Sequence, residues 1–201
     1  MLVSLLPFLA FAIVASATPG PNNLMVFSAA ATHGLRATIP LILGIALGFG
    51  VLVAVVGSGL AGPLTRYPPL YTALRLLGAA WLLFLAWKIA RAGSKSLPTK
   101  AASRAPMGFW GGSAFQWVNP KAWILALATT AIYTVPGHNL YAQVCSLALI
   151  FVLISVPCVG MWAILGLGVS RLLESPARLR FFNLLMGVLL AASVIPVIWD
   201  R

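Results

Sequence analysis

Four long tracts without Asp, Glu, Lys or Arg constrain what this chain can fold into: residues 1–35, 37–65, 122–170 and 181–199. A helix needs about 20 predominantly apolar residues to cross the hydrocarbon core of a bilayer, and each tract reaches about that length. A membrane β-barrel would instead show alternating segments of about ten residues, and runs such as 147–154 do not alternate. The tracts therefore predict an all-α membrane protein.

The composition agrees with this prediction. Apolar residues make up 61% of the chain, charged residues 7%, and the mean hydropathy is +1.02. Soluble domains have about 25% charged residues, so this chain could not cover a water-facing surface. The net charge of +11 could suggest a nucleic-acid partner, but the basic residues lie between the apolar tracts rather than on one face. We therefore expect a lipid bilayer, and no nucleic acid, as the partner.

We predict six transmembrane helices, at residues 2–32, 38–61, 69–90, 107–134, 141–169 and 178–199. Pro, Gly and Asn at 135–139 divide the longest tract. A polar, basic stretch at 92–106 predicts a cytoplasmic linker between a first three-helix repeat (1–91) and a second (107–201).

The positions of Lys and Arg predict the orientation, because cytoplasmic loops contain an excess of them. Nine lie in the links after spans 1, 3 and 5: Arg36, Lys88, Arg91, Lys95, Lys100, Arg104, Arg171, Arg178 and Arg180. The opposite side has only Arg66 and the terminal Arg201. We therefore expect both termini on the outer side.

Span 1 is too long to be a straight crossing. A continuous helix over 2–32 would extend about 46 Å, whereas the hydrocarbon core is about 30 Å thick. Prolines, a glycine and asparagines interrupt it at Thr18-Pro19-Gly20-Pro21-Asn22-Asn23. Because proline lacks an N–H donor and is favoured in the first helical turn, we expect a helix that ends near Ala17 and restarts at Pro21.

Span 4 contains a matching interruption, Gln116-Trp117-Val118-Asn119-Pro120-Lys121, in which Asn119 is placed to cap a helix beginning at Pro120. The restart prolines are 99 residues apart, about half the chain. Because each half has three spans, the second half enters the membrane from the opposite side. The sequence thus predicts a 3+3 inverted repeat whose broken helices 1 and 4 mark a binding site. Two purely structural kinks are the simpler alternative.

Each break also predicts a particular chemistry. A half-helix that begins inside the membrane exposes N–H groups that attract an anion, and one that ends there exposes carbonyls suited to an ammonium group. An amino acid has both groups. We therefore predict a site for such a cargo, without cofactor or metal, at Thr18, Pro19, Gly20, Pro21, Asn22, Asn23, Asn119 and Pro120.

Two basic residues lie within apolar spans, where ionisable groups are candidates for function. Lys121 follows the second restart proline, and a cation beside a positive helix terminus is favourable only with an anion such as a carboxylate. Arg75 is added to the candidate site, although it lies shortly after the outer start of span 3 and its side chain could instead extend to the outer interface. Gly44 and Gly48 form a small-residue pair that predicts close helix packing beside the site.

Other function classes lack the residues they need. The two carboxylates, Glu174 and Asp200, lie outside the predicted spans, so an aspartyl-type intramembrane hydrolase is excluded. His33 and His138 are expected on opposite sides, which prevents a Ser/His pair or a shared metal. We therefore predict no enzyme. A passive channel or an assembly subunit remains the alternative, although the polar rings of a channel are sparse.

Several short motifs occur along the chain in a characteristic order. Besides the two interruptions they are His33-Gly34-Leu35-Arg36, Gly44-Ile45-Ala46-Leu47-Gly48, Arg75-x-x-Gly78-Ala79-Ala80-Trp81-Leu82, and Trp87-Lys88. Through them, and over nearly its whole length, the chain resembles the LysE/RhtB family of bacterial amino-acid exporters.

The resemblance implies export of small amino acids or their derivatives across the bacterial inner membrane without ATP. Members that move basic amino acids tend to have a carboxylate where this chain has Phe49 after Gly48, so lysine or arginine export is not expected. Asn22-Asn23 and His33-Gly34 most resemble the branch that exports cysteine and O-acetylserine. Cargo similar to homoserine or threonine stays open, as does a homodimer.

Overall fold

The computed structural model describes residues 2–60, 68–91, 107–135, 139–170, 175–192 and 194–195. The predicted linker 92–106, the turn at 136–138 and the loop residues Arg66 and Glu174 lie outside the described residues, as do 196–201 and the side chain of Arg75. Within the described ranges, all regular structure is helical, which confirms the all-α class.

The described part of the first half contains four α-helices: α1 (Leu2–Ala17), α2 (Pro21–His33), α3 (Leu35–Val55) and α4 (Pro68–Arg91). A wide π-helical turn, Val56–Leu60, continues α3. Gly34 joins α2 to α3 at a φ of 82°, a backbone conformation that favours glycine.

The described part of the second half contains α5 (Phe109–Gln116), α6 (Pro120–Tyr133), α7 (Leu140–Ser170) and α8 (Pro176–Ala192). Predicted spans 2, 3 and 5 each correspond to one helix to within a few residues. Predicted spans 1 and 4 each consist of two helices, α1 with α2 and α5 with α6, so both predicted interruptions are confirmed. Span 6 was predicted over 178–199; α8 covers Pro176–Ala192, and the predicted end at 196–199 lies outside the described residues.

Length and hydropathy identify two of these helices as able to cross a membrane, Leu35–Gly59 and Leu140–Val169. A third crossing is formed by Leu5–Ala17 and Pro21–His33 if this pair, bent by 52°, is counted as one span. At 8 and 14 residues, α5 and α6 are too short to cross singly. The arrangement of six spans therefore stays a prediction.

The helices pack around α3 and α7, which lie against each other. α2 and α1 pack on α7, α5 packs on α3, and α4 packs on α8. Many large apolar side chains face outward, including Leu153, Ile164 and Val188, each more than half exposed. So many exposed apolar side chains are unfavourable in water and are suited to contact with lipid tails.

The predicted glycine pair lies at a close approach of α3 to α5. A Cβ added at Gly44 would overlap the backbone carbonyl oxygen of Phe109, and one added at Gly48 would lie 2.6 Å from the Cα of Ser113. Backbones can come this close only where side chains are absent. That the pair also supports the cargo site stays a prediction.

Candidate functional site

The first break leaves the carbonyl groups at the end of α1 without helical partners, and polar side chains bind them instead. The Asn23 amide donates to the carbonyls of Ser16 (3.0 Å) and Thr18 (2.8 Å). The Trp162 indole of α7 donates to the carbonyl of Ala17 (3.1 Å). Asn23 is almost fully buried, so its two bonds satisfy an amide that has no access to solvent. Side chains therefore compensate three of the carbonyls that the break leaves without helical partners.

The second break follows the predicted capping pattern. α6 begins at Pro120, and the side chain of Asn119 accepts a hydrogen bond from the backbone N–H of Lys121 (3.2 Å). The start of α2 differs, because no side chain in the described part of the chain caps it. The N–H groups in the first turn of α2 are therefore the more available to an anion.

Two sets of side-chain hydrogen bonds join the breaks across the middle of the fold. The Lys121 ammonium donates to the Thr18 carbonyl (3.0 Å). The amides of Asn22 and Gln116 bond each other reciprocally, at 3.0 and 3.1 Å. Two segments about a hundred residues apart in sequence therefore meet. The inverted arrangement of the halves itself stays a prediction.

Gly20 provides the space that Lys121 occupies. Its backbone is extended, with φ −172° and ψ −179°, a conformation open to any residue. A Cβ at this position would, however, lie 3.2 Å from both the Cδ and the Nζ of Lys121. Glycine is thus favoured here by the close approach of the lysine side chain, not by backbone geometry.

A cavity lies between the breaks, with a volume of about 40 Å³. Its polar lining comes from Ser16, Asn22, Asn23, Asn119, Lys121 and Ser155, and Phe49 and Phe151 are among its apolar walls. At about 10–15 Å³ per water, this volume has room for a few water molecules but not for an amino acid unless the walls move. The lining includes no carboxylate among the described residues.

The predicted site residues divide into three groups. Gly20, Pro21, Asn22, Asn23, Asn119 and Lys121 line the cavity. Thr18, Pro19 and Pro120 belong to the breaks beside it, and Thr18 contributes its carbonyl. Arg75 lies on α4, where its side chain is outside what the structure describes.

Two polar residues near the cavity were missing from the predicted site. Gln116 is fully buried at the end of α5, and Ser155 is 5% exposed on α7. Gln116 could have been predicted from the sequence, because a side-chain amide within an apolar span needs a hydrogen-bond partner. Ser155 could not have been predicted, since a serine in a long membrane helix commonly donates a hydrogen bond to a backbone carbonyl of the same helix.

Replacing Gln116 with leucine should destabilise the protein, because the Asn22 amide then loses both of its bonds to Gln116. We expect the free energy of unfolding to fall by about 1 to 3 kcal/mol, measured as a lower melting temperature in detergent micelles. Gln143→Leu is the control, since the Gln143 amide bonds the exposed backbone of Val135 at 2.8 and 3.1 Å. If both variants lower the melting temperature equally, the hydrogen bonds between Asn22 and Gln116 add no stability of their own.

Comparison with known proteins gives a consistent result. A family model described as "LysE type translocator" matches residues 13–195. The chain is 29% identical over 193 residues to proteins named "Cysteine/O-acetylserine efflux protein" from Salmonella choleraesuis and Salmonella typhi, with 96% of each chain covered. It is 28% identical over 197 residues to a protein of the same name from Escherichia coli O1:K1, again with 96% coverage of both. No solved structure matches the chain significantly.

Proposed function

Because the chain belongs to the LysE type translocator family, we propose that it exports small neutral amino acids or their derivatives by secondary-active alternating access. Members of this family are transporters and not enzymes, and the apolar helices make this chain a multi-pass membrane protein. We place it in the bacterial inner membrane with both termini on the periplasmic side. The names of its relatives favour cysteine or O-acetylserine as cargo.

The contact between Lys121 and Thr18 carries the proposal. It places an ammonium group in the cavity on a carbonyl at the end of α1, beside the uncapped start of α2. A cargo carboxylate would bind Lys121 and the N–H groups of α2, where partial positive charge accumulates. The cargo ammonium would then bind the Thr18 carbonyl that Lys121 leaves. A zwitterion satisfies both partners at once.

The lining of the cavity favours a neutral cargo side chain. Phe49 forms part of the wall, and none of the described lining residues is acidic. A second cationic group on the cargo would have no partner there and would be costly to bury. Lysine and arginine are therefore poor candidates.

The helix contacts support alternating access between two inverted repeats. Suppose that each helix of the first half corresponds to the helix four places later, so that α1 matches α5 and α4 matches α8. The contacts of α3 with α7 and of α4 with α8 are then contacts between equivalent helices. The contact of α1 with α7 likewise has its equivalent in that of α5 with α3. A cavity too small for an amino acid also requires one repeat to move relative to the other before cargo can enter.

The described basic residues support the proposed orientation. Arg36 lies at the start of α3, Lys88 and Arg91 at the end of α4, and Arg178 and Arg180 at the start of α8. Arg91 stacks on the ring of Trp87, 4.8 Å from its centroid. Aromatic and basic residues together are typical of a membrane interface on the cytoplasmic side.

Efflux from lipid vesicles tests the proposal. Vesicles containing the protein are loaded with a panel of labelled neutral and basic amino acids, including cysteine and O-acetylserine. We expect neutral cargo to leave faster than from protein-free vesicles, at a rate that saturates with concentration. Release that rises without saturation would indicate a pore, and release equal to that from protein-free vesicles would contradict export.

A further inference from the structure

Five aromatic rings form a contact cluster, and two of them line the cavity. Phe49 and Phe151 line the cavity, and their centroids are 4.8 Å apart. Phe8 and Phe11 of α1 extend the ring cluster to Tyr133 at the end of α6, at 5.0 and 5.6 Å. These five residues, here called the aromatic wall, extend from the cavity toward the side on which α1 begins and α6 ends. If the proposed export carries cargo from the cavity to that side, the cargo passes these rings.

Thr129 lies on the face of α6 that runs from the cavity to the wall. Leu125 lines the cavity, and Tyr133 belongs to the wall. Thr129 is four residues from each, so all three share one helix face, with Thr129 in the middle. Its side chain is fully buried.

The Thr129 hydroxyl makes no hydrogen bond to any described residue. Its neighbours behave differently, because the hydroxyls of Thr130 and Thr134 donate to the carbonyls of Ala126 (3.0 Å) and Thr130 (2.7 Å) in the same helix. A buried hydroxyl without a partner destabilises the state in which it occurs. Bonding within the helix is the ordinary solution for a threonine at such a position, and Thr129 does not adopt it.

We propose that Thr129 is a transient binding point for the zwitterionic cargo on its path between the cavity and the aromatic-wall side. This inference rests on the export function proposed above. When the repeats move and the rings separate, the path opens beside Thr129. Its hydroxyl then donates to the cargo carboxylate or accepts from the ammonium, so the charged ends do not cross the apolar section unpaired. Thr129 thus affects the rate at which cargo passes the aromatic wall, whereas Lys121 and the helix ends at the breaks bind the cargo in the cavity.

Thr129→Val tests this inference, because valine keeps the shape of the side chain and removes the hydroxyl. We expect efflux about tenfold slower than from the wild type, the scale of one lost hydrogen bond to a charged group. The cargo concentration inside the vesicles at which efflux reaches half its maximal rate should stay unchanged, since the cavity is intact. The melting temperature should not fall, since the lost hydroxyl had no partner. Thr129→Ser should restore the rate.

Thr130→Val is the matched control, because its hydroxyl already bonds within the helix, and it should transport at the wild-type rate. If the wild type exports cargo and Thr129→Val does so equally fast, the inference is overturned and the proposed function stands. The inference is also overturned if Thr129→Val and Thr130→Val slow efflux equally. If wild-type vesicles export none of the panel, the proposed function fails, and the inference fails with it.

Discussion

Vesicles containing the Lys121→Met variant should release neutral amino acids at least tenfold more slowly than wild-type vesicles. Methionine keeps much of the apolar side-chain length but removes the ammonium that bonds the Thr18 carbonyl and, in our proposal, the cargo carboxylate. A charge-assisted hydrogen bond contributes about 1.5 to 3 kcal/mol, which corresponds to a factor of about 10 to 150. Initial efflux rates at low cargo concentration measure this loss.

The control for this variant is Lys88→Met. Lys88 lies exposed in the last turn of α4 and does not line the cavity, so its replacement removes the same charge without touching the site. We expect efflux close to that of the wild type and equal amounts of both variants in the membrane. If Lys121→Met exports at the wild-type rate while properly inserted, Lys121 does not bind the cargo.

Replacing Gly44 with alanine should destabilise the protein strongly. The added methyl group would overlap the Phe109 backbone carbonyl, which cannot rotate away as a flexible side chain could. α3 and α5 must therefore separate, and overpacking of this kind typically costs about 1 to 3 kcal/mol, occasionally more. Thermal unfolding in detergent micelles should show a melting temperature lowered by several degrees.

Gly160→Ala provides the comparison within the same fold. Gly160 also lies inside a long membrane helix, α7, but an added Cβ would meet no atom within 4 Å. Alanine favours a helix over glycine by about 1 kcal/mol, so this variant should melt at the wild-type temperature or higher. Equal melting of the two alanine variants would mean that the approach of α3 to α5 does not need a glycine.

Much of the fold could be predicted because it depends on local chemistry. Pro21 and Pro120 lack an N–H donor, and two long apolar tracts had to be interrupted somewhere. The structure begins helices at both residues, and Asn119 caps the second as expected. The predicted spans 38–61, 69–90 and 141–169 likewise match α3 with its π-helical turn, α4 and α7 to within a few residues, because a membrane segment needs a mainly apolar stretch of about 20 residues.

The site could be predicted only in part, because its contacts join residues that are distant in sequence. Gln116 was within a predicted break, but its pairing with Asn22 depends on how α2 and α5 pack. The role of Gly20 beside Lys121 follows only from the position of the lysine side chain. The aromatic wall could not be predicted either, since Phe8, Phe49 and Phe151 are ordinary core residues in sequence.

The reciprocal hydrogen bonds between Asn22 and Gln116 hold the two breaks together without any charged group. Both partners are carboxamides, which carry no ionisable proton and no net charge. Acidification on either face of the bilayer, or a change in ionic strength, leaves such a link intact, whereas an ion pair in its place would weaken. Of the two links described between the broken helices, the amide pair is thus the one independent of acidity and salt, because the other uses the charged ammonium of Lys121.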